Sequence, residues 1–115
     1  MPTPADSSAE RLAKGEKLFA AKDFSGAIRE YREAVRLSPR DPKGHFVLGL
    51  ALKWRGDLDE AVSQYREAVR LEPDLAEAHV NIGSILRMKN DPDGAISEYR
   101  EAIRVKPDLA LAHAD

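Results

Sequence analysis

Apolar residues recur along this chain at helical spacing, and the middle of the sequence shows it best. Between residues 42 and 55, Leu48 and Leu52 fall on one face of a helix, while Phe46, Val47, Leu50 and Trp54 fall on another face about 100° wide. A helix that is apolar on two faces needs two partners. The pattern predicts helices over 8–21, 24–37, 42–55, 58–71, 76–88 and 92–105, with 109–114 opening a seventh. The turns of two to four residues between them force neighbouring helices to run antiparallel.

Boundary residues support this division. Ser7 with Glu10, Asp57 with Glu60 and Asp74 with Glu77 fit the capping box or its Asp-capped variant, in which a side-chain oxygen accepts from an otherwise unpaired amide. Asp41-Pro42 and Asp91-Pro92 place a cap before a proline in the first turn, where a missing N–H costs nothing. The acidic pairs Asp57 with Asp59 and Asp91 with Asp93 sit at helix starts, where amide dipoles favour negative charge, so capping rather than acid–base chemistry accounts for them.

The helices repeat. Gly15, Gly49 and Gly83 are each 34 residues apart, and the same offset links Ala27, Ala61 and Ala95; Tyr31, Tyr65 and Tyr99; Ala34, Ala68 and Ala102; and Pro39, Pro73 and Pro107. A glycine inside a helix costs roughly 1 kcal/mol against alanine, so each implies a close approach by the paired helix. The tyrosines would fill the space between hairpins, and the prolines would stop each second helix.

The arrangement Leu48-Gly49, Ala61, Tyr65, Ala68 and Pro73, repeated in register on both sides, resembles the tetratricopeptide repeat over residues 8–109. The resemblance implies an all-α, right-handed superhelix of three hairpins, with repeats 8–41, 42–75 and 76–109. Residues 1–7 would then be a disordered N-terminal segment, and 110–115 the start of a truncated fourth repeat or a capping stub. One departure stands out. Where the family often carries tryptophan near the start of the first helix, this chain has Arg11, His45 and His79.

Arrays of this family stack their first helices along a concave wall that generally binds peptide segments. By repeat register, that wall would present Leu12, Glu16, Phe19 and Ala20 from the first unit. The second would give Phe46, Val47, Leu50, Lys53 and Trp54, and the third Val80, Asn81, Ser84, Arg87 and Met88. The result is an apolar trough with a cationic rim at Lys53 and Arg87. Phe46 and Val47 serve equally well as packing between first helices, whereas Leu50 and Trp54 favour the groove. The terminal-carboxylate clamp of some family members does not carry over, because its sites here hold Leu12, Glu16, Val47, Glu77 and Asn81. Asn81 resembles the inward asparagines of the superhelical protein-glycosylating transferases, but Ala13 and Val47 stand at the equivalent sites, leaving a single rung.

Composition narrows the function classes. The chain has 115 residues, 33% of them charged, a net charge of -2 and no cysteine, which excludes disulfide staples and thiolate metal sites and fits the cytoplasm. No start resembling a secretion signal and no run near ~18 apolar residues is present, so no membrane association is expected. No catalytic motif is found and no cofactor is expected, so the reading is non-enzymatic. His45, His79 and His113 share one register, but parallel helices ~8–10 Å apart hold such rings too far apart for one zinc. The rows Arg32, Arg36, Arg66, Arg70, Arg100 and Arg104 are offset by Glu33, Glu67 and Glu101, which argues against a nucleic-acid surface. The expected partner is a protein or peptide. Self-association through an uncapped C-terminal hairpin around Ile96, Tyr99 and Ile103, or a spacer role, is the alternative.

Overall fold

The computed structural model describes residues 7–108. It contains six helices: α1 (Ser8–Ala20), α2 (Phe24–Leu37), α3 (Pro42–Arg55), α4 (Leu58–Leu71), α5 (Ala76–Met88) and α6 (Pro92–Val105). Each odd helix pairs with the next as an antiparallel hairpin, and α2 packs on α3 and α4 on α5, so three hairpins stack into an array 48 × 25 × 22 Å. The predicted bounds hold, apart from α1 ending one residue early. The expectations for 1–6 and for the stub at 110–115, together with His113, lie outside the described residues. Ser7, assigned to the N-terminal segment, caps α1 by accepting from the Glu10 amide at 3.1 Å.

The capping proposals divide. Asp41 accepts from the Lys43 amide and Asp91 from the Gly94 amide, as expected, and Asp23 accepts from the Gly26 amide without having been anticipated. Asp57 and Asp74 do not cap. The residue at the start of α5 is Leu75, and neither it nor Asp57 makes a side-chain cap bond. Asp57 differs from the two capping aspartates in the residue three positions on. Gly26, Glu60 and Gly94 share one register, and a Cβ on either glycine would collide with the capping carboxylate. Glu60 stands there in the second repeat, and Asp57 pairs with Arg55, and Asp59 with Lys89.

A second regularity lies in the turn inside each hairpin. Lys22, Gly56 and Asn90, again 34 apart, have φ of 65°, 96° and 64°. In all three the next amide, of Asp23, Asp57 or Asp91, donates to a carbonyl five residues back, on Leu18, Leu52 or Leu86, at 2.8–2.9 Å. This is the left-handed helix termination that glycine and asparagine adopt most easily, so Lys22 is the strained member.

The core follows the repeat. Ala27, Ala34, Ala51, Ala61, Ala68 and Ala78 are buried beside Leu48, Leu52, Ile82 and Ile85. Gly15, Gly49 and Gly83 face the rings of Tyr31, Tyr65 and Tyr99. A Cβ on Gly44 would stand 3.3 Å from Val35 Cγ2, marking the close approach of α2 and α3. Burial pushes the Tyr31 phenol up to about 12, helped by the nearby Glu16 charge, and raises Tyr65 further. The Tyr65 hydroxyl is buried without a hydrogen-bond partner.

The outer helices are tied by charge. Arg32 bridges α2 to Glu60 of α4, and Arg66 bridges α4 to Glu98 of α6 at 3.1 Å. The acceptor shifts by one turn between repeats because Gly94 occupies the register of Glu60. Arg36 with Glu33, Arg70 with Glu67 and Arg104 with Glu101 neutralise the outer rows as expected. Their hydrogen bonds hold all three carboxyls below the usual range.

Candidate functional site: the wall of first helices

The first helices α1, α3 and α5 form a layer of their own, bridged by Lys43 to Glu16 at 3.5 Å and by Lys53 Nζ to Asn81 Oδ1 at 3.4 Å. The helical period sets what this layer presents. Phe46, Leu50 and Trp54 follow one another at spacings of four along α3, and Lys53 lies three residues after Leu50, so they form one ridge.

The predicted residues do not all reach that surface. Leu12 is a core residue, 7% exposed, and belongs to the apolar cluster that includes Ala27, Ile28 and Tyr31 of α2. Its side chain does not reach the wall's surface. Phe46 is half-buried and tilts onto Tyr65, with ring centroids 5.7 Å apart, so it chiefly seals its own hairpin. Val47, Leu50, Val80, Asn81 and Ser84 are half-buried, and Arg87 and Met88 stand exposed. Glu16 is exposed and engaged by Lys43. A shallow pocket lined by Asp41, Pro42, Lys43, Phe46, Glu72 and Leu75 opens at the start of α3, about three turns from Trp54.

The sharpest feature is an aromatic cluster at the other end of α3. Trp54 is 64% exposed, yet its indole stacks on Phe24 at 6.3 Å with planes 21° apart, and Phe24 meets Phe19 edge-on at 5.4 Å. Phe24 was missed in the sequence because it opens a second helix rather than lining a first one. The available signal was a bulky apolar residue directly after the Asp23 cap. An exposed indole already fixed by a neighbouring ring offers a large apolar face with little ordering left to do.

The positions where the family often has tryptophan hold polar pairs across each hairpin. Arg11 meets Glu30 at 3.1 Å, His45 Nδ1 meets Gln64 Oε1 at 2.8 Å, and His79 Nδ1 meets Glu98 Oε2 at 2.8 Å, each pair 19 residues apart. His45 Nε2 donates to the Pro39 carbonyl. Both rings are thus engaged in hairpin closure, and no cluster of three metal-ligating side chains exists among the described residues. No helix among them is long and apolar enough to cross a membrane.

Comparison with known proteins agrees with this architecture. A TPR repeat model matches residues 15–53 and 54–89, and a tetratricopeptide repeat model matches 76–109. Among solved structures, the chain superposes on YrrB, described as a TPR protein with an unusual peptide-binding site, with TM-score 0.87 and 28% identity, covering 94% of this chain and 56% of that one. It also superposes on MamA, with TM-score 0.87 and 21% identity over 93% of this chain and 63% of that one. Over 39 residues it is 44% identical to the heat shock protein sti1 homolog of Schizosaccharomyces pombe, a match spanning 34% of this chain but only 7% of that protein. The chain therefore spans a small part of that curated relative and somewhat over half of these structures. With three hairpins in one 34-residue register and family models matching from residue 15 to 109, the chain belongs to the tetratricopeptide repeat family.

Proposed function

We infer that this chain is a protein-interaction module whose concave groove, lined by α1, α3 and α5, holds a peptide segment of a partner. The observation that carries the reading is Trp54, mostly exposed on the first-helix wall yet held by stacking on Phe24. Around it, Leu50, Val80 and Met88 supply apolar surface, and Asn81 and Ser84 supply hydrogen-bonding groups for a backbone. The likeness to YrrB, whose description names a peptide-binding site, supports the same use of the fold here. The test is Trp54 emission during titration with a broad peptide library, with Trp54→Ala and Leu50→Glu as controls. Ligands that shift the emission and are lost in both variants support the groove. A library that leaves both the emission and the wall's hydrogen exchange unchanged removes it.

A second reading, self-association, rests on α6. Ile96 and Ile103 are 47% and 49% exposed, whereas Ile28, at the register of Ile96, is 3% exposed beneath the next hairpin. No described element covers this face. Head-to-tail stacking onto α1 is disfavoured, because α1 carries Glu10 and Lys17 where α3 carries Gly44 and Ala51. A second copy would therefore meet the same face of α6, in an isologous contact. Light scattering should then show a dimer that Ile96→Lys dissolves, and a strict monomer at millimolar concentration excludes it.

A further inference from the structure

Most basic side chains of this chain are either exposed to water or engaged by a carboxylate. Among the described lysines and arginines, only Arg11 and Lys53 are partly withdrawn from solvent. Arg11 has Glu30 at 3.1 Å. Lys53 has only the amide oxygen of Asn81, at 3.4 Å, and no carboxylate of the described residues lies within ion-pair distance. The two carboxylates that share its wall do not serve it: Glu16 is taken by Lys43, and Glu77 lies a turn before Asn81 without pairing to Lys53.

Burial without a counter-ion is unfavourable for an ammonium, and it holds Lys53 below the ordinary lysine value. An amide oxygen at 3.4 Å is weak compensation, since charge-assisted bonds to carboxylate are shorter and roughly twice as strong as neutral ones. A cation left in this condition on the very ridge that carries Trp54 has no counter-ion among the described residues, and a carboxylate from a ligand would supply one. Asn81, whose oxygen faces Lys53, keeps its amide N–H groups for the same ligand. Arg87, exposed one turn and a half further along α5, extends the positive side.

Building on the groove reading above, we propose that the ligand is an extended peptide with an internal aspartate or glutamate seated on Lys53 and Asn81 and a large apolar or aromatic side chain lying on Trp54. Lys53 and Trp54 are adjacent in sequence, so the two ligand side chains lie within about three residues of each other at ~3.3 Å per residue. An internal acid is favoured over a chain terminus because Lys53 sits in the middle hairpin, with a repeat on either side along the 48 Å array. The site shares only Asn81 with the positions of the terminal-carboxylate clamp; Lys53 lies outside them, and two of the others here are the acidic Glu16 and Glu77.

The test uses peptides of about twelve residues, acetylated and amidated so that no terminal charge remains, with phenylalanine and glutamate one, two or three positions apart in an Ala/Ser/Thr background. Matched peptides carry glutamine for glutamate, and one of these keeps a free C-terminal carboxylate. Trp54 emission reports binding. The best glutamate peptide should bind about tenfold more tightly than its glutamine counterpart, with the advantage shrinking in salt. Lys53→Met should abolish that advantage while leaving the melting temperature and the glutamine peptide's affinity intact, and Trp54→Ala, followed by calorimetry, should weaken both. Equal affinity for glutamate and glutamine overturns the acid assignment and leaves the groove standing, as does binding that follows only the free terminus. No binding by any peptide overturns both.

Discussion

A Cβ placed on Gly49 would lie 2.9 Å from the ring of Tyr65, a side chain with no exposed surface. This pairing of the smallest residue on one helix with a bulky one on its partner keys each hairpin. Gly49→Ala should therefore destabilise the fold by about 1–2 kcal/mol, the overpacking cost exceeding alanine's helix preference. Gly83→Ala, facing the half-exposed Tyr99, should cost less because that ring has room to move. Paired denaturant melts check the order.

Much of this was legible in the sequence because several signals coincided. The end of α2 is marked by Pro39, the period and the change of apolar face together, so tertiary packing had little to alter. Single signals were less secure. Asp57 looks like a cap, yet it pairs with Arg55 and does not take the amide that Asp23 and Asp91 reach. Leu12 shares the register of a wall residue but turns into the core, and Phe24 joins the site from a second helix. In each case the outcome depends on a neighbour's shape, which spacing along one chain does not encode.

The caps give a differential prediction. Asp23→Ala should cost about 1 kcal/mol through loss of the bond to the Gly26 amide, whereas Asp57→Ala should cost under about half of that, since only an exposed pair with Arg55 is lost. Equal losses in thermal melts would contradict this difference in capping.

Lys22 adopts a left-handed backbone, φ 65°, where Gly56 stands in the second repeat. Lys22→Gly should stabilise the chain by about 0.5–1 kcal/mol, visible as a higher melting temperature. A decrease would show that the lysine side chain compensates elsewhere.

Tyr65 links stability to alkaline pH. Its phenol titrates higher in the folded chain than in the unfolded one, where the value is near 10. Stability is unaffected below about pH 10 and falls above it, as the unfolded chain loses the proton that the native state retains. Tyr65→Phe should remove much of this fall. Because it also deletes a buried hydroxyl without a partner, it should leave neutral-pH stability unchanged or raise it by up to about 1 kcal/mol.

The most direct measurement of the groove is an amide and indole shift map of the isotope-labelled chain during titration with the phenylalanine–glutamate peptide. Shifts should concentrate on Leu50, Lys53, the Trp54 indole, Asn81 and Ser84. Shifts confined to α2, α4 and α6 would place the ligand on the outer surface and contradict it.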